Sequence, residues 1–235
     1  MSATALRSPA ELEELAAQAA PRLAGAPAED VIAWAAEEFG DRWAITASMQ
    51  DTVLAHLVQS VAPGSTALFL ETGYHFGETI ATRDRVIEEY ALNVRSLTAD
   101  LTPAQQDETY GVDLFRTAPD LCCLLRKDMP LTAALEDYEA WATGVRRVES
   151  ETRAKTVEVT FDPRREKIKI APLVRWTDED VARYSAEHDT ISNPLLSQGY
   201  PSIGCAPCTR KVLPGEDPRA GRWSGIEKTE CGINV

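Results

Sequence analysis

Residues 66–98, TALFLETGYHFGETIATRDRVIEEYALNVRSLT, decide the fold of this chain. They contain an apolar run at 66–71, a stretch of helical composition at 77–90 and a second β-rich run at 92–98. A strand that passes through a helix into another strand indicates a right-handed crossover and parallel pairing. The sequence therefore predicts an α/β fold with a mainly parallel sheet flanked by helices.

The segments upstream extend this pattern. Residues 43–48 are predicted to form a buried strand, and residues 51–60 a helix. Ser8-Pro9-Ala10-Glu11 combines an N-cap, a proline at the first helical position and an acid at the third, which predicts a helix that runs to about residue 20 and stops at Pro21. A second helix is expected at 29–39, with Gly40 just past its end.

Downstream of residue 100 the pattern is less regular. A short helix is expected at 102–110, helical turns at 122–134 and a strand at 139–147. The β-rich runs 156–162 and 167–174 predict a hairpin, and a helix with acids in its first turn is expected at 177–187. Glycine and proline recur from residue 192 onward, which predicts a loop-rich C-terminal tail.

Composition limits the function classes. The 235 residues carry a formal net charge of -13, which disfavours nucleic-acid binding. No apolar run reaches the roughly 18–20 residues that span a bilayer, and the N-terminal residues lack the order of a signal peptide, so a cytoplasmic location is expected. Basic residues nevertheless cluster in the second half, as in Arg126-Lys127 and Arg210-Lys211. Such clusters suit a small anionic ligand, although solvated surface charge explains any single pair equally well.

Five cysteines divide into four and one. Cys122-Cys123 and the distant Cys205-Ala-Pro-Cys208 supply the four thiolates that an iron–sulfur cluster or a structural zinc needs. Zinc stays open as the alternative, although adjacent cysteines suit a small tetrahedral ion poorly. A vicinal disulfide would be strained and out of place under reducing conditions. Cys231 lies outside the set, which makes it a candidate reactive thiol.

Two strand ends carry turn chemistry. Ser48-Met-Gln-Asp51 and Leu70-Glu-Thr-Gly73 each follow a predicted strand. In open α/β sheets, ligands bind beyond the carboxyl ends of the strands, so these turns are candidates for a nucleotide site. Two ordinary strand-to-helix turns are the alternative interpretation.

Several motifs, taken in order, resemble the assimilatory adenylyl-sulfate (APS) reductases of the adenine-nucleotide α-hydrolase-like superfamily. The resemblance covers about residues 44–232. Its motifs are Ser48-Met-Gln-Asp51, Leu70-Glu-Thr-Gly-Tyr-His-Phe76, Cys122-Cys-Leu-Leu-Arg-Lys127, Trp141-Ala-Thr-Gly-Val-Arg-Arg147 with Thr152-Arg153, Gly204-Cys-Ala-Pro-Cys-Thr-Arg210, Arg219-Ala-Gly-Arg-Trp223 and Lys228-Thr-Glu-Cys-Gly232.

The resemblance implies a reaction and its participants. Adenosine 5′-phosphosulfate would be reduced to sulfite and AMP, in sulfate assimilation and thus cysteine biosynthesis, with thioredoxin or a glutaredoxin-like protein as reductant. One 4Fe–4S cluster would be held by Cys122, Cys123, Cys205 and Cys208. Relatives that use the 3′-phosphorylated substrate (PAPS) typically lack these four cysteines, so the set favours APS.

The resemblance also implies site residues. Cys231 corresponds to the nucleophile, which would form a thiosulfonate. The residues implied for adenosine are Ser48, Leu70, Thr72 and Gly144, and those implied for the phosphosulfate are Lys127, Arg153, Arg219 and Arg222. The chain would divide into a nucleotide-binding and iron–sulfur reductase domain at 1–210 and a mobile tail at 211–235 that carries Cys231.

Two positions depart from the family pattern. Glu71 stands where an aspartate usually precedes Thr-Gly, and the tail ends Glu230-Cys-Gly-Ile-Asn-Val235 without the usual terminal histidine. A role for an imidazole beside the thiol is therefore unsupported. A PAPS reductase and a non-enzymatic four-cysteine metal-binding protein stay open as alternatives. An ATP pyrophosphatase is disfavoured because Ser48-Met-Gln-Asp51 lacks the paired glycines of that loop. Self-association is left open.

Overall fold

The computed structural model describes residues 5–225, 228 and 230–234. Its α-helices are α1 (Pro9–Leu23), α2 (Ala28–Phe39), α3 (Val53–Val61), α4 (Gly77–Glu89), α5 (Pro103–Tyr110), α6 (Leu114–Thr117), α7 (Pro119–Cys123), α8 (Met129–Ala134) and α9 (Asp178–His188). Its strands are β1 (Trp43–Thr46), β2 (Thr66–Glu71), β3 (Asn93–Thr98), β4 (Ala140–Ala142), β5 (Val159–Asp162) and β6 (Lys167–Ile170).

Within the described residues these strands form one six-stranded sheet in the order β3-β2-β1-β4-β6-β5. Every neighbouring pair is parallel except β5 with β6, which run antiparallel as a hairpin. At the centre of the sheet, Ile45 of β1 lies between Ala67 of β2 and Ala142 of β4. The predicted mainly parallel sheet and the predicted hairpin are both confirmed.

Alternation along the central strands gives the sheet two apolar faces. Ile45 packs with α1, α2 and α3 in the larger core. Its neighbour Ala44 points the other way and packs with Trp141 and with Leu131 of α8. Because helices cover both faces here, the central strands β1, β2 and β4 are largely buried, and a ligand can reach them only at their ends.

Helix α1 starts at the predicted residue but ends later than expected. The Ser8 backbone N–H donates to Glu11 Oε2 at 2.8 Å, and Ser8 Oγ accepts from the Glu11 N–H, which completes the capping box. The helix then continues through Pro21 to Leu23, so the predicted stop at Pro21 was wrong. Pro21 lies in the last turn and has no N–H, so the helix lacks one backbone hydrogen bond there. Burial of Ala19 and Leu23 offsets that loss.

Strand β4 is shorter than the predicted strand at 139–147. The Thr143 N–H donates to Ile170 O at 2.9 Å, and after this bond the chain leaves the sheet through Gly144. The Arg147 backbone N–H then donates to Val174 O at 2.9 Å, and this bond is not part of the β-sheet. The prediction of a strand in this region is confirmed, although the strand is shorter. Because the chain leaves the sheet so early, the carboxyl end of the sheet is open.

The helical turns predicted at 122–134 are confirmed, with an irregularity between them. Helix α7 ends at Cys123, a π-helical turn spans Leu124–Asp128, and α8 follows. A π-turn widens the backbone spiral and is often found at functional sites. Here it directly follows Cys122 and Cys123 and contains Lys127.

The C-terminal tail is loop-rich in its described part, as predicted. The Arg210 N–H donates to Gly221 O at 2.9 Å, and the Trp223 N–H donates to Cys208 O at 3.0 Å. These bonds dock residues 211–225 on the loop that carries Cys205 and Cys208. The predicted mobility of this tail stays a prediction. None of the described helices is long and apolar enough to cross a membrane.

Candidate active site

The carboxyl ends of β1, β2 and β4 border one cleft of about 1370 Å³, a figure that includes space open to solvent. Ser48 follows β1, Leu70 and Thr72 lie at the end of β2, and Gly144 follows β4. All four line this cleft. The residues that the resemblance implies for adenosine therefore lie together, at the edge where parallel sheets bind ligands.

Thr72 connects the cleft to the cysteines. Its side chain is buried, and Oγ1 accepts a hydrogen bond from the Tyr74 N–H at 3.2 Å. The same oxygen lies 3.4 Å from Cys205 Sγ. The Thr72 carbonyl accepts from Arg126 Nη1 at 2.9 Å. A change at this turn would thus reach both the cleft and the cysteine loop.

Glu71 keeps the turn after β2 in shape. Its Oε1 accepts a hydrogen bond from the Gly73 N–H at 2.9 Å, and its Oε2 pairs with Arg83 Nη1 at 3.2 Å. Gly73 has a φ of +72°, which favours glycine. The longer acid at position 71 therefore still reaches the turn amide.

The cationic residues predicted for the phosphosulfate line the same cleft as the nucleoside residues, and so does the predicted nucleophile: Lys127, Arg153, Arg219, Arg222 and Cys231. They come from the π-turn, the loop after β4 and the C-terminal tail. The fold thus brings four cations and Cys231 into one cleft from distant segments of an acidic chain.

Lys127 and Arg222 lie between the cleft and the cysteines. Burial opposes the charge of Lys127, but electrostatic interaction with Cys205, Cys231 and Cys123 raises its pKa above the usual range. Arg222 Nη1 donates to Ser202 Oγ and to Ile203 O, each at 3.2 Å. No carboxylate pairs with either cation among the described residues. Both are therefore available to an anion in the cleft.

Gly204 provides the space for Arg222. A Cβ atom built on Gly204 would lie 2.3 Å from Arg222 Nη2 and 2.5 Å from its Cζ. The guanidinium also lies 4.5 Å from the centre of the Trp223 ring. The buried ring of Trp223 lines the cleft. The requirement at Gly204 was missed, because no spacing rule connects it to residue 222.

Arg153 and Arg219 are paired with a carboxylate of the tail. Arg153 Nε and Nη2 donate to the two oxygens of Glu230 at 2.8 and 2.7 Å. Arg219 Nη2 lies 3.5 Å from Glu230 Oε2. Burial opposes ionisation of Glu230, but the bonds from Arg153 lower its pKa. Sequence reasoning gave Glu230 no role; an acid next to the candidate nucleophile was the available signal.

Cys231 lies beside Cys123 and two cations. A hydrogen bond from the Cys123 thiol, followed by the charges of Lys127 and Arg222 and the Ile233 N–H, outweighs burial and lowers the pKa of Cys231 to about 5. The same contact raises the pKa of Cys123. Lys127 and Arg222 thus favour the thiolate of Cys231, and a thiolate is the nucleophilic form of cysteine.

The four remaining cysteines line a second cavity that adjoins the cleft; its volume is about 380 Å³, including space open to solvent. Tyr74, Phe115 and Trp223 complete its walls with Arg126, Lys127 and Arg222. Burial and the neighbouring Cys205 raise the pKa of Cys122 and raise that of Cys208 to about 11. Within the described residues no three His, Cys, Asp or Glu side chains surround a single-ion position.

The three histidines lie outside the cysteine cavity, although His75 lines the main cleft. His75 Nε2 lies 2.8 Å from Leu70 O, and the ring stacks on Phe69 with a centroid distance of 4.9 Å. His56 contacts Tyr184 and His188 away from the cysteines. None of the three lines the cysteine cavity.

Comparison with known proteins places these features in a family. Residues 43–211 match the model of the phosphoadenosine phosphosulfate reductase domain. The chain is 54% identical over 228 residues to adenosine 5′-phosphosulfate reductase of Streptomyces coelicolor, with 97% of both chains covered. It is 50% identical over 225 residues to the protein of the same name from Mycolicibacterium smegmatis, covering 96% of this chain and 95% of that protein.

Solved structures agree on the fold. The phosphoadenylyl-sulfate reductase of Candida auris, crystallised as a phosphate complex, has a TM-score of 0.71 at 23% identity and covers 90% of this chain and 100% of that one. FMN adenylyltransferase of Candida glabrata, with FMN and an ATP analogue, has a TM-score of 0.57 at 10% identity, covering 90% and 70%. The fold is therefore adenine-nucleotide α-hydrolase-like. From the domain match and the near full-length relatives, we conclude that this chain belongs to the family of adenosine 5′-phosphosulfate and phosphoadenosine phosphosulfate reductases, which are oxidoreductases.

Proposed function

We propose that this enzyme reduces adenosine 5′-phosphosulfate to sulfite and AMP, with Cys231 as nucleophile and a dithiol protein such as thioredoxin as reductant. The observation that supports this most directly is the position of Cys231 in a cleft beside Lys127 and Arg222. A soft nucleophile that faces cations with no carboxylate partner in the described part of the chain suits attack on the sulfur of an anionic anhydride. The names of the relatives agree with this substrate.

The first step forms a thiosulfonate. The Cys231 thiolate attacks the sulfate sulfur, and the bond from sulfur to the bridging oxygen breaks. AMP leaves with that electron pair on its phosphate oxygen. Lys127 and Arg222 would neutralise the charge on the sulfonyl and phosphate oxygens. The strand-end turns at Ser48, Thr72 and Gly144 would hold the nucleoside, since they lie at the ligand-binding edge of the sheet.

The second step releases sulfite. One thiolate of the reductant attacks Cys231 Sγ, and sulfite leaves with the electron pair of the S–S bond. The second thiol of the reductant then resolves the mixed disulfide and returns Cys231 to a thiol. The dithiol is oxidised by two electrons and the sulfate sulfur is reduced by two. Because this exchange needs a reducing compartment, the proposal includes a cytoplasmic location and a role in sulfate assimilation.

The cysteine cavity fits an iron–sulfur cluster by the chemistry of its donors. Its lining includes four thiols and no carboxylate, and Arg126, Lys127 and Arg222 would balance the charge of bound thiolates. Cys122, Cys123, Cys205 and Cys208 would hold a 4Fe–4S cluster. When bound, that cluster would supply structural support and negative charge beside Lys127. The electrons of the reaction come from thiols in this scheme.

Sulfite release from APS and from PAPS, each with thioredoxin, tests the proposal. We expect kcat/KM for APS to exceed that for PAPS by at least about tenfold, or ~1.4 kcal/mol. The overall net charge of -13 and the four-cysteine set motivate this preference. Equal or reversed values would show that the four-cysteine set does not predict the substrate, and reversed values would favour a PAPS reductase. No sulfite from either substrate would favour a non-enzymatic metal-binding protein.

Mass spectrometry of the intact and digested protein tests the nucleophile. Wild-type enzyme with APS and no reductant should gain one SO3 group on the peptide that contains Cys231. Cys231→Ser should bind APS but gain no group and release no sulfite. An unmodified Cys231 during normal turnover, or sulfite from the Ser variant, would place the nucleophile elsewhere.

A further inference from the structure

Two arginines of the β5–β6 turn bind the backbone just after Cys231. Arg164 Nη1 donates to Gly232 O at 2.9 Å. Arg165 Nη1 donates to Ile233 O at 3.3 Å and to Asp162 Oδ2 at 3.0 Å. The sequence gave no role to either arginine. The bonds to Gly232 and Ile233 go to backbone carbonyl oxygens, so they do not depend on which side chains follow Cys231.

Asp128 holds both arginines in place. One of its oxygens accepts from Arg164 Nη2 and the other from Arg165 Nη2. The side chains of Asp128 and Arg165 are 8% and 1% exposed, respectively. Asp128 ends the π-turn and directly follows Lys127. The arrangement therefore ties the turn that carries Lys127 to the segment that carries Cys231.

We propose that Arg164 and Arg165, oriented by Asp128, are positioning residues that dock the tail and fix Cys231 in the cleft. We call these three residues the arginine clamp. The clamp holds the chain on the C-terminal side of Cys231, while the Glu230 pairs with Arg153 and Arg219 hold the N-terminal side. The catalytic part of this inference rests on the proposed function of Cys231; the docking part does not.

The clamp acts on one half of the reaction. Thiosulfonate formation needs a docked Cys231, because the thiol must meet the sulfur held in the cleft. Reduction of the adduct by a protein dithiol needs the tail to leave the cleft. Weakening the clamp should therefore slow adduct formation without slowing sulfite release from an adduct already formed. A general loss of structure would slow both.

Arg164→Ala is the test variant, since Arg164 is 47% exposed and its removal does not empty a buried position. Arg183→Ala is the matched control, because Arg183 is an exposed arginine of α9 that pairs with Asp180 at 2.7 Å. Arg164→Lys keeps the charge, but a single ammonium cannot replace the guanidinium fork that reaches Asp128 and Gly232 O together.

Two measurements are made on the cluster-containing enzyme. Iodoacetamide labelling of Cys231 without substrate, followed by peptide mass spectrometry, reports docking. Single-turnover adduct formation with APS, then sulfite release after thioredoxin is added, reports the two chemical steps. For Arg164→Ala we expect labelling to rise and adduct formation to fall by about fivefold, the effect of one typical net hydrogen bond. Sulfite release and the melting temperature should match Arg183→Ala.

The outcomes separate the clamp from the nucleophile. Wild-type labelling and adduct rates in Arg164→Ala would overturn the clamp. Full recovery in Arg164→Lys would show that charge alone docks the tail, which also contradicts it. Raised labelling with no adduct in either wild type or variant would support docking by the clamp and refute Cys231 as the nucleophile.

Discussion

At the scale of single residues, the site depends on buried cations, and neighbouring residues leave the space that each cation occupies. Arg222 lies against Gly204, where any side chain would overlap the guanidinium. Its other contacts are the oxygens of Ser202 and Ile203 and the ring of Trp223. Burial and the nearby Arg219 lower the pKa of Arg222. Burying this positive charge without a counter-charge therefore costs free energy. An anionic substrate would supply one.

Gly204→Ala should therefore displace Arg222 and reduce kcat/KM for APS by about tenfold or more, as expected for a lost hydrogen bond to a charged group. Gly77→Ala is the control, because nothing lies within 4 Å of a Cβ atom at Gly77. Iron content is measured in parallel, since Gly204 precedes Cys205. A Gly204→Ala enzyme as active as the Gly77→Ala enzyme would show that Arg222 is not needed in its present position.

At the scale of elements, two separate segments supply the cysteines in pairs. Cys122 and Cys123 end α7, and the π-turn that follows lets Lys127 line the same cavity as Cys123. Cys205 and Cys208 flank a 3-10 turn at Ala206–Cys208, which is fixed to the strand-end turn by the bond from Ala206 N–H to Tyr74 O at 2.7 Å. Neither pair suffices to hold a four-cysteine cluster.

Loss of one cysteine should therefore remove the whole metal group. Anaerobically purified enzyme should contain about four irons and four sulfides per chain, and Cys205→Ser should lose both together with activity. Cys231→Ser is the control, expected to keep its iron because Cys231 does not line the cysteine cavity. Iron and sulfide are measured chemically. Stoichiometric zinc without iron in wild type would refute the cluster.

At the scale of the whole molecule, the C-terminal tail completes the cleft. It contributes Arg219, Arg222, Glu230 and Cys231 to a site whose other walls are the ends of the sheet. Glu230 neutralises Arg153 and Arg219 in the arrangement described. Substrate binding to those arginines would require the carboxylate to move, and such an exchange of anions would couple the tail to the ligand.

Hydrogen exchange should reveal that coupling. In ligand-free enzyme, amides at 215–225 and 230–234 should exchange faster than those of β1 and β2, and APS bound to Cys231→Ser should slow them. Glu230→Gln should raise tail exchange in the free enzyme by about fivefold, since one paired carboxylate is lost, with a smaller change in the complex. Glu37→Gln is the control, because Glu37 has no ion pair among the described residues. Tail exchange unaffected by APS would contradict a mobile tail.

Much of the fold followed from periodicity in the sequence. The strand at 66–71 and the helix that starts at Gly77 were predicted at the residues where the structure has them. Prediction was weaker where tertiary contacts override local preference. Burial of Leu23 carries α1 past Pro21, and the register of β4 with β6 ends that strand at Ala142. Such effects depend on partners distant in sequence, which local propensity cannot include.

The sequence by itself determined the composition of the site: four cysteines in two pairs, a fifth near the end and basic residues close to each. These are properties of residue type and spacing, and they identified the motifs without coordinates. Only the tertiary structure decided how these groups face one another. It brings Arg222 against Gly204, Glu230 against Arg153, and Arg164 against the carbonyl after Cys231. Each of these contacts joins segments that approach only after the sheet and the tail have packed, because they have no local sequence relation.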